Sequence, residues 1–294
     1  MEQGYKKGRS YIRCTIVSIL LALIFVHVGN AQVSSLSFSQ SSGTYSEISG
    51  GTLLGTTSSD DQYFVDPAAT TGGTTKTGVG LPIGFNFTLN GNTFDRFAVN
   101  NNGWISLGKS ALTPSVNMAT TSAYLPLASS ETITPTELRT RISVLGRDLA
   151  AQTGASLRYE VLGTSPNQVL VIQWKNYKKY NATGDSYNAQ IRLYETSNKV
   201  ELIYGTMTNN ATSTTLHVGL GGSSSTDFNN RSTLTNWNTT SGGASNTASC
   251  TISNSIFPAS GLTFSWQLVS QSFTSSTTEQ GSTNPILSGS TNQE

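Results

Sequence analysis

The chain has 294 residues, with 17 Lys and Arg against 16 Asp and Glu, and only 11% of it is charged, where an average globular protein has about 25%. That balance offers no basic footprint for nucleic acid and no like-charge block for a membrane surface. Two cysteines and two histidines are too few for a disulfide framework or a histidine-built zinc centre.

The first element is a leader. Residues 1–14 carry Lys6, Lys7, Arg9 and Arg13, an apolar run covers 15–28, and Gly29, Asn30 and Ala31 follow. Positive, apolar and small, in that order, predict a secretory signal peptide over 1–31, cut after Ala31. The apolar run is shorter than the ~20 residues that span a bilayer, so no membrane span is expected after cleavage. The expected location is secreted or cell surface. Removing the leader takes away four basic residues and one acidic one, leaving 13 against 15 and a net charge of −2. Cys14 and His27 leave with it. Cys250 then has no partner, and burial alone must hold the domain expected over 32–270.

From there the apolar residues alternate or come in short runs. Segments 36–40 and 44–48 are short strand candidates. Asp60 and Asp61 sit together, with Asp66 five residues on. Such an oxygen cluster either binds calcium, which takes six to eight oxygens, or forms a solvated Asx turn. Calcium is the one cofactor this chain suggests.

Next comes LPIGFNFTLNGNTFDRFAVNNNGWISLG, over 81–108. It predicts strands at 83–89, 94–99 and 104–107. Asn90-Gly91 is the strongest short hairpin signal, since both central residues of such a turn take positive φ. Residues 109–140 show no strand period. So long a connection is either a binding loop or a cover over one sheet edge, with Tyr124, Leu125 and Leu127 as its anchors. One helical turn is expected within 134–141.

Further strands are predicted at 156–162, 168–177, 187–195, 199–205, 215–221 and 261–268. The VLVI run at 169–172 is apolar on both sides and belongs in the middle of a sheet. Thr196-Ser197-Asn198 joins two strands as a second hairpin. Trp104, Trp174 and Trp266 fall within strands and are expected in the core. His217, the one histidine outside the leader, reads as a hydrogen-bonded structural residue. Residues 222–255 are polar, break the strand pattern and hold Trp237. The end, 271–294, reads as a Ser/Thr-rich flexible tail. About a dozen strands and no long amphipathic helix predict an all-β fold: an antiparallel two-sheet β-sandwich, jelly-roll-like in its simplest form, with long loops.

Catalytic signatures are missing. There is no G-x-S-x-G turn, no phosphate loop and no D-x-D-x-D-G calcium loop. The chain is therefore read as non-enzymatic. Aromatic and basic side chains remain as binding candidates: Tyr177, Lys178, Lys179 and Tyr180 at a strand end, Trp237 in the polar stretch, and Tyr124 in the long loop. Exposed aromatic faces stack on sugar rings or anchor protein partners.

Three blocks also carry a resemblance. The 81–108 stretch, the stretch RISVLGRDLAAQTGASLRYEVLGTSPNQVLVIQWKNYKKY and the stretch YNAQIRLYETSNKVELIYG fall in that order within about 81–222. They resemble the nidogen-like β-sandwich modules found at the N-terminus of exported Bacteroidetes surface proteins. Gly163, Pro166, Asn167, Val169 and Trp174 match one motif of those modules. The resemblance implies a secreted or surface-exposed domain, often followed by fibronectin type III repeats. It also places Asp-Asp-Leu where this chain has Arg147-Asp148-Leu149, which weakens a cation role for that pair here. Asn86 opens one of several Asn-x-Ser/Thr sequons, which a bacterial source makes a matter of composition.

The function expected is a non-catalytic module for adhesion, or for binding an extracellular glycan or protein, in company with other surface proteins. The contact surface would be the 109–140 loop with 175–180. The alternatives are a jelly-roll glycoside hydrolase or lyase, which needs two converging carboxylates, and a structural subunit of a surface assembly, which needs strand edges open to a neighbour.

Overall fold

A computed structural model describes residues 32–268, apart from 56–57, 69–71 and 211–212. The expected leader and the 271–294 tail lie outside the described residues. Among the described residues no helix is long and apolar enough to cross a membrane.

β1 (Ser37–Ser42), β2 (Thr52–Gly55) and the two-residue β3 (Tyr63–Phe64) and β4 (Thr77–Gly78) come first. β5 (Leu81–Leu89), β6 (Asn92–Asn100), β7 (Trp104–Gly108) and β8 (Val116–Asn117) follow. The middle holds β9 (Arg141–Gly146), β10 (Leu149–Ala150), β11 (Ser156–Leu162), β12 (Val169–Lys179), β13 (Tyr187–Tyr194) and β14 (Val200–Tyr204). β15 (Thr214–Gly221), β16 (Phe228–Ser232), β17 (Ser241–Gly242), β18 (Cys250–Ile252) and β19 (Leu262–Gln267) complete the fold.

One sheet runs β1-β19-β14-β13-β12-β11-β2, and the other runs β17-β16-β15-β9-β7-β6-β3 with β5 beside β6. Their strand pairings are antiparallel. The main core lies between the sheets. Leu170, Ile172, Trp174, Ile191, Leu193 and Phe264 come from the first, and Phe94, Val99, Ile105, Ile142, Val218 and Leu220 from the second. The alternation of period two sets these faces. The fold is the all-β, antiparallel sandwich that the pattern predicted.

Both hairpin signals act as expected. Asn90 and Gly91 take φ of 56° and 69°, and Asn198 turns the β13–β14 hairpin at φ 50°. β12 is central, between β11 and β13. Trp104, Trp174 and Trp266 are fully buried. A 3-10 turn at Thr136–Arg139 supplies the expected helical turn.

Two expectations are corrected. Segment 44–48 is not a strand; it straps the outer face of the first sheet. Gln173 Oε1 accepts from Ile48 N at 2.9 Å, and Gln173 Nε2 donates to Ile48 O at 3.2 Å. Gln190 Nε2 reaches Ser46 O at 2.7 Å. Side-chain amides replace a β-ladder, so this backbone is satisfied without one. The 222–255 stretch, where no strand was predicted, holds β16, β17 and β18. Its Asn and Thr side chains hydrogen-bond to main chain: Asn230 Nδ2 donates to Ser245 O and Ala248 O, each at 3.0 Å.

Residues 109–140 form a cover. A second, smaller cluster of Tyr63, Val65, Ala98, Trp104, Val116 and Met118 lies beneath it. Trp104 Nε1 donates to Ala123 O at 2.9 Å, and Arg141 donates to Pro126 O at 2.8 Å and to Ala119 O. That is why β7 and β9 are buried on both faces.

Candidate functional site

The turn after β6 organises one end of the sandwich. Asn100, Asn101 and Asn102 are all fully buried. Gly103, at φ +84°, brings its main chain so close to Leu145 that a Cβ would meet the Leu145 Cβ at 2.4 Å. Asn100 Oδ1 accepts from Asn102 N at 2.8 Å, closing the turn. Asn101 Oδ1 accepts from Gln62 N at 2.8 Å, and its amide nitrogen donates to Leu149 O at 3.3 Å. Asn102 Oδ1 accepts from Leu149 N at 2.7 Å, and its Nδ2 donates to Asp61 Oδ1 at 2.9 Å. Two short amides, Asn101 and Asn102, thus clamp segment 60–62 to segment 147–149. The clamping role of this tripeptide is not legible in the sequence, because nothing local says where an Asn side chain will reach.

The clamp brings Asp60, Asp61 and Asp148 together, with one oxygen of each within 4.8 Å of the others. Asp60 also bridges Ala150 through the main chain. Burial and then the Asp61 charge hold the Asp60 carboxyl above its usual range. Burial, then Asp61 and Asp60, raise Asp148, against the pull of Arg147. Each shift reports first a partly desolvated place and then the crowding of like charge within it. Tyr124 Oη donates to Asp61 Oδ2 at 3.4 Å, and burial with the surrounding carboxylates pushes its phenol up to about 12.

Asp66 is not part of this group. It is exposed and closes its own Asx turn, accepting from Ala68 N at 2.9 Å. Asp148 takes the third position expected of Asp66. The resemblance implied only a weaker cation role for Arg147-Asp148, and the geometry adds that Asp148 is the neighbour of Asp60 and Asp61.

The basic segment lies alongside. β10 pairs with β12 so that Leu149 faces Lys179 and Ala150 faces Lys178, and Tyr180 N donates to Asp148 O at 2.9 Å. Tyr180 is 44% exposed. The main chain of Lys178, Lys179 and Tyr180 therefore runs beside the segment that carries Asp148, and Tyr124 alone among these four bonds a carboxylate through its side chain. Two binding candidates do not join them. Tyr177 is fully buried in the core, and Trp237 is 2% exposed, stacked against Phe264 with its Nε1 donating to Thr251 O at 2.8 Å. Neither ring has a face free for a ligand.

The remaining chemistry-bearing groups are occupied elsewhere. Tyr187 Oη donates to Asp185 Oδ2 at 3.2 Å, and Asn210 N donates to Asp185 Oδ1 at 2.8 Å. Glu195 accepts from Ser165 Oγ at 2.7 Å and Gln168 N at 3.0 Å. His217 is buried, with Nε2 at 2.6 Å from Asn246 O, and burial pushes its imidazole down to about 4. Burial pushes the Cys250 thiol up to about 12.

The oxygen set fits a hard cation such as calcium and offers no soft ligand for zinc or copper. Three carboxylates and a phenol leave further coordination positions to water or to a partner's oxygens.

No curated protein and no solved structure matches the chain. A family model described as NIDO related matches residues 35–268, nearly all of the described fold. The chain thus belongs to the nidogen-related family.

Proposed function

We propose that the chain is an exported, non-catalytic module that binds an extracellular glycan or protein partner. Its contact surface is the end of the sandwich carrying Tyr124, Lys178, Lys179 and Tyr180, with calcium held by Asp60, Asp61 and Asp148. One observation carries this reading: four separate segments, 60–61, 124, 148 and 178–180, meet there. A loaded cation would offset the crowding of the carboxylates and leave positions that a partner's oxygens could fill.

Export rests on the leader pattern at 1–31. Hydrolysis is the weaker reading. Two-carboxylate glycosidases hold their acids about 5 to 9.5 Å apart across a bound sugar, while these three crowd one another at a turn. Asp185 and Glu195 already accept hydrogen bonds elsewhere.

The test is a glycan array and a pull-down against surface extracts, each with calcium and with EDTA, using the wild type and a Lys178→Ala/Lys179→Ala/Tyr180→Ala variant. Capture that needs calcium and fails in the variant supports the reading. Capture unaffected by both changes would remove this surface from the function.

A further inference from the structure

A shallow, open depression lies on the rim of the sandwich and shares no residue with the surface above. It has a volume of about 370 Å³ and is lined by Pro82, Gly84, Phe85, Asn86, Asp95 and Arg96. Its origin is a break in strand register. Pro82 pairs with Arg96 and Phe87 with Phe94, so the four residues 83–86 stand against Asp95 alone. β5 must bow away from β6 there, and irregularities of this kind recur beside binding sites. Gly84 allows the bow. It takes φ of +97°, and a Cβ on it would meet Val161 Cγ2 at 3.1 Å.

The lining is held in place before any ligand arrives. Phe85 is half-buried and packs against the main core, which fixes its ring. The Asp95 carboxylate accepts from Ser110 N at 2.7 Å and from Ser110 Oγ. Arg96 Nη1 donates to Asp95 O at 3.3 Å and lies 3.9 Å from its carboxylate. That uses one corner of a guanidinium with five donors. Asn86 adds an exposed amide.

From this we infer a binding site for a neutral pyranose residue of an extracellular polysaccharide. The aromatic ring supplies an apolar platform for the C–H face of a sugar. Asp95, Arg96 and Asn86 supply acceptors and donors in the dense mixture that vicinal hydroxyls require. Arg96 and Asp95 largely cancel each other's charge, which favours a neutral sugar over an anionic one. The hollow is shallow and open to solvent, which suits a single ring at a chain end or branch and not an enclosed ligand.

The probes are methyl β-glucopyranoside, methyl β-galactopyranoside and methyl α-mannopyranoside, with glucuronate and acetate as anionic controls. All are titrated in EDTA, so that the outcome is independent of the carboxylate cluster. Saturation-transfer NMR reports ring-proton contact, and amide shifts report the protein side. Expected is millimolar binding of at least one neutral pyranoside, with shifts centred on 84–86 and 95–96. Arg96→Gln should weaken it at least tenfold, as should Asn86→Trp, which fills the concavity from its exposed rim without touching the core. Both variants are checked for wild-type melting. Failure of all three pyranosides at about 50 mM would overturn the inference, and so would binding that neither variant alters. Response to glucuronate and acetate alone would make this an anion site and overturn the neutral-sugar assignment.

Discussion

The guanidinium of Arg141 lies 5.1 Å from the centre of the Trp104 ring, with both side chains shut off from solvent. No carboxylate among the described residues forms an ion pair with it. Its charge is met instead by the ring face and by the carbonyls of Pro126 and Ala119. Burial, with Arg139 close by, holds the guanidinium below its usual range. The pair ties the 109–140 cover to the second sheet. Replacing Arg141 by Met leaves two carbonyls unpaired and removes a desolvated cation–π contact, an expected cost of about 2–4 kcal/mol. Arg141→Lys should recover only part of this, since one ammonium cannot serve both carbonyls and the ring. Thermal melting gives the cost. Limited proteolysis should show earlier cleavage around 119–129 in both variants, and unchanged cleavage there would mean that the cover is held by something else.

Gln173 makes a similar argument on the opposite face. Its Oε1 accepts from Ile48 N and from Gln190 Nε2, at 2.9 and 2.8 Å. Gln173→Leu keeps the volume but strands the Ile48 amide and the Gln190 donor, at about 1–3 kcal/mol. Hydrogen exchange should quicken at Ile48 more than at Ile191 on the neighbouring strand. Equal acceleration at the two would show global destabilisation without release of the strap. The exposed Lys175–Glu47 pair on the same strap should matter far less, at roughly 0–1 kcal/mol.

These contacts also mark where sequence reading stopped. Strands were legible because burial on one face leaves a period of two, as in Ile191 and Leu193, buried, against Arg192 and Tyr194, half-exposed. Hairpins were legible because positive φ selects Asn and Gly, as at Asn90 and Gly91. What alternation cannot reveal is a strand covered on both sides. β9 reads Arg-Ile-Ser-Val-Leu-Gly, yet every residue is buried, since the loop above receives Arg141 and Ser143 faces the His217 carbonyl. The strap was misread as a strand because Tyr45 and Ile48 have the right composition, and its hydrogen-bond partners lie about 125 residues away. The candidate site was half legible. Asp60 and Asp61 were visible as neighbours, but Asp148 joins them only through the Asn101 and Asn102 clamp, and side chains that act across sequence leave no local spacing.

His217 should set part of the acid limit. Its Nε2 bonds the Asn246 carbonyl and its Nδ1 has no partner, so the folded protein holds it neutral. Burial depresses the folded value to about 4, from an ordinary 6.5. Below pH 6.5 the unfolded chain binds a proton that the folded one refuses, so stability falls as pH drops. The loss is complete once the pH passes below about 4, and amounts to about 3 kcal/mol. His217→Gln retains an amide donor for Asn246 and cannot titrate. The melting-temperature difference between wild type and variant should therefore change between pH 6.5 and 4 and stay constant above pH 7. A constant difference across the whole range would rule out this linkage.

The carboxylate cluster should respond in the opposite sense. Asp60 and Asp148 have folded values raised above their unfolded ones. The folded state therefore holds those protons more tightly. Its repulsion is fully present above the raised values and vanishes as pH falls below the unfolded value near 3.9. In EDTA at pH 7, Asp148→Asn should stabilise the protein by a few tenths to about 1 kcal/mol, the scale for partly exposed charges. That gain should shrink toward zero by pH 3. Calcium should reverse the order. A cation bound by Asp60, Asp61 and Asp148 stabilises the wild type by about 2.7 kcal/mol at a hundred times its dissociation constant. The variant, short of one charged ligand, should gain much less. Melting curves in EDTA and in millimolar calcium, with magnesium as a control, measure both effects. A wild type that melts at the same temperature in both buffers, while Asp148→Asn is still stabilised, would leave the cluster as a site of plain charge repulsion and withdraw calcium from the proposed surface.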